Sequence, residues 1–180
     1  MAANVIDISR YAPKSSDIFF FDNNVWMYLF CPLGSYEQDR QNKYSAFLKE
    51  VKSSRGTIFL SSLILSEFVN RYLRLDFNQW KSSNSMHSAE FKRDYVKSDR
   101  YPKAVEIVKP LVSKILSICD KTPDNFNSLD IHQVLTHTSF VDFNDSYFIE
   151  LLSKQNWKLV TDDSDFSNYS GHNLTVITYR

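Results

Sequence analysis

Ile18, Phe19, Phe20 and Phe21 form an unbroken apolar run directly before Asp22, Asn23 and Asn24. A run this short and this apolar reads as a strand covered on both faces, here over 17–21. Similar runs recur as TIFLSS (57–62), WKLVT (157–161) and LTVITY (174–179). Between them the apolar positions change to helical spacing. Tyr44, Phe47, Leu48 and Val51 share a face within 36–53, and Leu65, Phe68, Val69 and Tyr72 share one within 62–77. NVWMYLF (24–30) predicts a short helix stopped by Pro32 and Gly34. Residues 102–119 predict a helix opening at Pro102 and kinked or split at Pro110. A short helix over 129–137 precedes one whose inner face is Phe148, Leu151 and Leu152, with Asn144 or Asp145 as its cap. The more polar residues 78–100 predict a loop and an exposed helix from His87 to Lys97. KTPDNFN (121–127) reads as a loop, DDSDFSNY as a turn, and 1–16 as an irregular arm.

Apolar strands alternating with helices predict an α/β fold with a mostly parallel sheet of four to five short strands, covered on both faces. At 180 residues the chain suits one domain, 17–180, behind the irregular arm. In such sheets function gathers beyond the carboxyl ends of the strands.

Composition narrows the chemistry. The formal net charge is zero, so no overall basic field holds nucleic acid and any such binding needs a local patch. Three glycines leave no glycine-rich phosphate loop. Cys31 and Cys119 are isolated, which argues against zinc, redox motifs or a disulfide scaffold and for a reducing cytoplasm. No apolar run has the length of a signal peptide or a membrane span. His87, His132, His137 and His172 have no paired ligand spacing.

The acids are placed more tellingly. Asp22 ends the first strand, Glu67 lies early in the helix after the second, and Asp162, Asp163 and Asp165 follow the third. In a parallel sheet these positions share one edge. Asp145 reaches it too, because its helix runs antiparallel to the strand that follows. Clustered carboxylates repel and raise each other's pKa, a conflict that a divalent cation resolves. Oxygen ligands without His or Cys favour Mg²⁺ or Mn²⁺, which suits phosphodiester hydrolysis.

At these residues the chain resembles the PIN-domain family of metal-dependent nucleases, which includes the ribonuclease toxins of VapBC-type toxin–antitoxin pairs. "FFDNNVW" resembles the family's opening strand and D-T-N, with Asn23 in place of Thr. "LSSLILSEF" resembles the second strand and the helix bearing Glu67. "NDSYFIELLSKQNWKLV" places Asp145 as the third acid, and "VTDDSDF" resembles V-T-x-D-x-D-F, giving Asp163 and Asp165. The resemblance implies a three-layer α/β/α PIN-like domain with a helical insertion around 75–125. It implies Asp22, Glu67, Asp145 and Asp163 as catalytic metal ligands, Asp165 as a further one, and Asn24 and Thr161 in support. It further implies a Mg²⁺- or Mn²⁺-dependent endoribonuclease acting on RNA, a homodimer, and an antitoxin as partner.

Plainer roles compete at each position. Asp22 and Asp145 are plausible helix caps, and Glu67 can pair with Arg71 at i+4. Asp162 reads as solvated and Asp142 as structural. Lys92, Arg93, Lys97, Arg100 and Lys103, interleaved with Phe91, Tyr95 and Tyr101, read as a solvated helix face or as an RNA contact. The alternative for the whole chain is a non-catalytic PIN-like module that binds RNA or protein.

Overall fold

The computed structural model describes residues 3–168 and 174–179. Six strands form one sheet in the order β1-β6-β5-β2-β3-β4, every pair parallel. They are β1 (Asn4–Asp7), β2 (Ile18–Phe21), β3 (Thr57–Leu60), β4 (Asp120–Lys121), β5 (Lys158–Val160) and β6 (Thr175–Thr178). The α-helices are α1 (Asn23–Phe30), α2 (Gln38–Ser54), α3 (Ser62–Ser83), α4 (Arg100–Leu116), α5 (Ile131–His137), α6 (Phe143–Gln155) and α7 (Ser164–Asn168).

β2 is central, and its side chains show how the layers form. Successive strand residues point to opposite faces. Phe19 and Phe21 meet Phe47 of α2, at ring-centroid distances of 5.8 and 6.3 Å. Phe20 points the other way and meets Phe148 of α6 at 5.1 Å. All three phenylalanines are fully buried, so the sheet lies between two helical layers.

The chain steps from β2 outward to β3 and β4, then crosses back through α5 and α6 to place β5 on the other side of β2. The order therefore reverses between β2 and β5. A crevice opens at such a reversal, beyond the carboxyl ends of the two strands.

Residues 4–7 depart from the expected irregular arm: β1 pairs with β6 at the sheet edge, Asn4 beside Thr175. β4 is a two-residue strand beside β3, at the start of what reads in sequence as the 121–127 loop. With β1 and β4 the sheet has six strands instead of four to five. α3 continues past Phe77 to Ser83 because Trp80 packs on Phe77 and Tyr95. α4 stays one helix through Pro110. The expected exposed helix of 87–97 contracts to a π-helical turn, Phe91–Tyr95, and the DDSD turn runs into α7.

Candidate active site

β2 ends at Phe21, which pairs with Val160 of β5. The Asp22 N–H extends the ladder to Val160 O at 3.0 Å. Asp22 is also the N-cap of α1, its Oδ1 accepting from the Asn23 N–H at 2.6 Å. Thr161, the next residue of β5's chain, donates to Asp22 Oδ2 at 2.7 Å. Asn24 Nδ2 donates to the same oxygen at 2.6 Å and to Thr161 Oγ1 at 3.0 Å. The Asp163 N–H donates to Thr161 Oγ1 at 3.0 Å. Asn24 and Thr161 therefore tie the ends of β2 and β5 together and fix the Asp22 carboxyl.

Asp22, Glu67, Asp145 and Asp163, brought from the ends of β2, α3, α6 and β5, line one cavity of about 650 Å³. Asn23, Asn24, Tyr28, Asn70, Arg71, Arg74, Asp142, Asp162 and Ser164 complete the wall. Asp165 is not on it; its N–H donates to Asp163 Oδ1 at 2.9 Å, bracing that side chain from outside. The N-cap of α6 is Asp142, neither Asn144 nor Asp145, and it accepts from the Asp145 N–H at 2.9 Å. That leaves the Asp145 carboxyl free of capping. Glu67 accepts from Asn144 Nδ2, which links α3 to α6; this contact, and no pair with Arg71, positions it.

Burial and like charge act together here. Loss of water first, and then the nearby Glu67 and Asp163 charges, push the Asp22 carboxyl up from 3.8 to about 6 against the Thr161 and Asn23 hydrogen bonds. Asp145 is pushed up to about 8, first by burial and then by Asp142, Asp22, Asp163 and Glu67. Glu67 is raised by burial, against the Asn144 hydrogen bond.

Asp162 and Asn23 stand in surroundings that the sequence does not show. Asp162, read as solvated, has a side chain only 5% exposed. It pairs with Arg40 of α2 and accepts from the hydroxyls of Tyr28 (2.9 Å) and Tyr44 (3.1 Å). Both adjacent acids border the cavity, but Asp162 also anchors the loop to α2. Asn23, buried at the position where Thr is expected, leaves its Oδ1 without a hydrogen-bond partner among the described residues. In sequence Asn144 reads only as a helix cap and Arg71 only as a pair for Glu67, and Arg74 carries no signal beyond helical spacing from Glu67.

The aromatic residues of 91–101 form a cluster with one another, and Arg100 joins it. Tyr95 is fully buried and donates to Asp76 at 2.6 Å, and Arg100 pairs with that same fully buried acid. Arg93 pairs with Glu90 and Asp94. Tyr95 and Arg100 thus hold the insertion on α3, while Lys92, Arg93 and Lys97 form a solvated face.

The family model for the PIN domain matches residues 19–171. The chain belongs to the PIN-domain family. PIN domains are generally nucleases and generally depend on divalent metal ions. Among solved structures, the chain resembles VapBC2 from Rickettsia felis, determined bound to a DNA fragment from their promoter. The TM-score is 0.50 at 14% identity, covering 88% of this chain and 98% of that one, a likeness of fold. A search of curated proteins found no match. Among the described residues no three His, Cys, Asp or Glu groups are drawn together tightly enough to hold a metal ion. The donor chemistry nonetheless fits a hard cation: the cavity wall offers carboxylate and amide oxygens, with no His or Cys. No helix among the described residues is long and apolar enough to cross a membrane.

Proposed function

We propose that this PIN domain is a metal-dependent endoribonuclease that hydrolyses RNA phosphodiester bonds. The observation that carries the reading is the convergence of Asp22, Glu67, Asp145 and Asp163 in one cavity, with Asp22 and Asp145 both pushed well above the carboxylate range. A fold maintained only for binding has no use for buried carboxylates that repel one another, so the cluster argues against the non-catalytic module.

Asp22, Glu67, Asp145 and Asp163 would hold Mg²⁺ or Mn²⁺, directly or through water. The bound cation would offset the phosphate's charge and make a water molecule more acidic. Thr161 and Asn24 keep Asp22 aimed at the cavity, and Asn144 does the same for Glu67. Asp165 supports Asp163 through its backbone. A carboxylate of the cluster serves as the proton acceptor for the attacking water. The likeness of fold to a VapBC2 complex supports an antitoxin as partner. A homodimer and a cytoplasmic setting complete the reading.

The test is cleavage of a mixed RNA pool by the purified chain with Mn²⁺, with EDTA, and as Asp22→Asn and Asp145→Asn. Metal-dependent cleavage abolished by both substitutions is expected. Cleavage that persists in both variants would belong to a contaminating ribonuclease and overturn the reading. RNA binding without cleavage would favour the binding module.

A further inference from the structure

The cavity is not lined by acids alone. α3 enters it with Glu67, Asn70, Arg71 and Arg74, spaced so as to share one helix face. The other arginines near the carboxyl edge and the insertion are closed onto carboxylates: Arg40 onto Asp162, Arg93 onto Asp94 and Arg100 onto Asp76. Arg71 and Arg74 enter no ion pair among the described residues, although both border a cavity that holds several carboxylates.

Arg74 is held in another way. Its guanidinium carbon lies 4.0 Å from the centre of the Phe91 ring. Phe91 is fixed in turn against Phe77 at 5.5 Å and Tyr95 at 5.3 Å, inside the cluster that Asp76 anchors. Stacking occupies the face of a guanidinium and leaves its edge N–H donors free. A stacked guanidinium with free edges, beside a second unpaired one a turn away, suits two-point recognition of a phosphate.

Building on the nuclease reading, we propose that Arg71 and Arg74 grip a backbone phosphate of the RNA strand beside the carboxylate cluster, with Phe91 setting the position of Arg74. The insertion then has a definite role, since it supplies the aromatic surface that keeps a phosphate-binding arginine extended over the cavity. Phosphate grip on this wall holds the strand while the carboxylate wall acts on the neighbouring linkage.

The assay is fluorescence anisotropy of a labelled single-stranded RNA with the full chain in EDTA, over a range of KCl, for the parent, Arg71→Ala, Arg74→Ala, Arg74→Lys and Phe91→Leu. Thermal melting confirms that each variant is folded. Each alanine variant is expected to bind about ten-fold or more weakly, the scale of a missing charged hydrogen bond. The slope of log affinity against log salt should fall by about 0.7 for each phosphate no longer gripped. Phe91→Leu should weaken binding while leaving that slope unchanged, because no charge is removed. Arg74→Lys should not restore parent affinity, because an ammonium neither stacks nor forks. RNA affinity unchanged in both alanine variants, with the parent still cleaving RNA, overturns this assignment and leaves the nuclease reading standing. Failure of the parent to bind or cleave RNA overturns both. Binding of a glutamate-rich peptide that depends on Arg71 and Arg74, when RNA binding does not, overturns the assignment in favour of an acidic protein segment.

Discussion

Raising the pH from 5 to 8 in EDTA is expected to lower the melting temperature, and Mn²⁺ is expected to counter the loss. The Asp22 carboxyl titrates near 3.8 when unfolded and at about 6 in the fold. Its folded value is the higher one, so its contribution to stability is complete below pH 4 and is lost as the pH rises through 6. Integrating the difference in bound protons from pH 5 to 8 gives about 1.4 kcal/mol for Asp22 alone. For a chain of this size that is a fall of about 3–6 °C. Asp145, pushed up to about 8, and Glu67, also raised, act in the same direction and add to the fall. Asp17 is shifted the opposite way, held low by Tyr11, Lys14 and Lys158, and its contribution is already complete by pH 5. A cation held by ionised carboxylates binds the fold and not the unfolded chain, so its stabilisation grows with pH. Scanning calorimetry at several pH values, with EDTA and with Mn²⁺, reads both effects. Asp22→Asn should remove the Asp22 share of the slope in EDTA. A flat profile in EDTA, or a slope identical in Asp22→Asn, would refute the picture of a buried, charge-strained cluster.

Thr161→Val removes the hydroxyl that holds the Asp22 value down, so that value should rise above about 6 and the Mn²⁺-induced gain in melting temperature should shrink. Arg100→Ala leaves Asp76 fully buried with only Tyr95 to bond it, and should cost about 2–4 kcal/mol in urea unfolding. Arg40→Met should cost less, about 1–2 kcal/mol, since the Arg40 side chain is 36% exposed and both tyrosines still serve Asp162. Gly56→Ala places a Cβ 2.9 Å from the Phe19 ring and 3.3 Å from Lys14 O. A loss of about 1–3 kcal/mol, seen as a lower urea midpoint, is expected.

Where a residue's place depended on strand position it was legible in the sequence. The IFFF run announced a central strand, and once a parallel sheet was inferred, its carboxyl edge collected Asp22, Glu67, Asp145 and Asp163, which the cavity does bring together. What stayed hidden depended on partners distant in the chain or on choices between near neighbours. β1 has the look of an arm because its strand partner, β6, lies about 170 residues away in sequence, Asn4 beside Thr175. Asp162 looked solvated because Arg40 is 122 residues away. Asp142, Asn144 and Asp145 are all good caps by residue type, and only backbone geometry selects Asp142. The alternation of basic and aromatic residues near 91–101 suggested a solvated face or an RNA contact. Helical spacing alone does not reveal that Asp76 lies inside to receive Tyr95 and Arg100.

The sheet order also sets a timetable. Thr161, whose hydroxyl fixes Asp22, is made 139 residues after it, and Asp163 follows that. Chains fold from the N-terminal side as they are made, and pairings between distant segments form last. While a ribosome is still translating the middle of this chain, β2 has no β5 beside it and the carboxylate cavity has no second wall. The nascent chain is therefore unable to assemble its own candidate active site until the segment carrying Asp163 has been released.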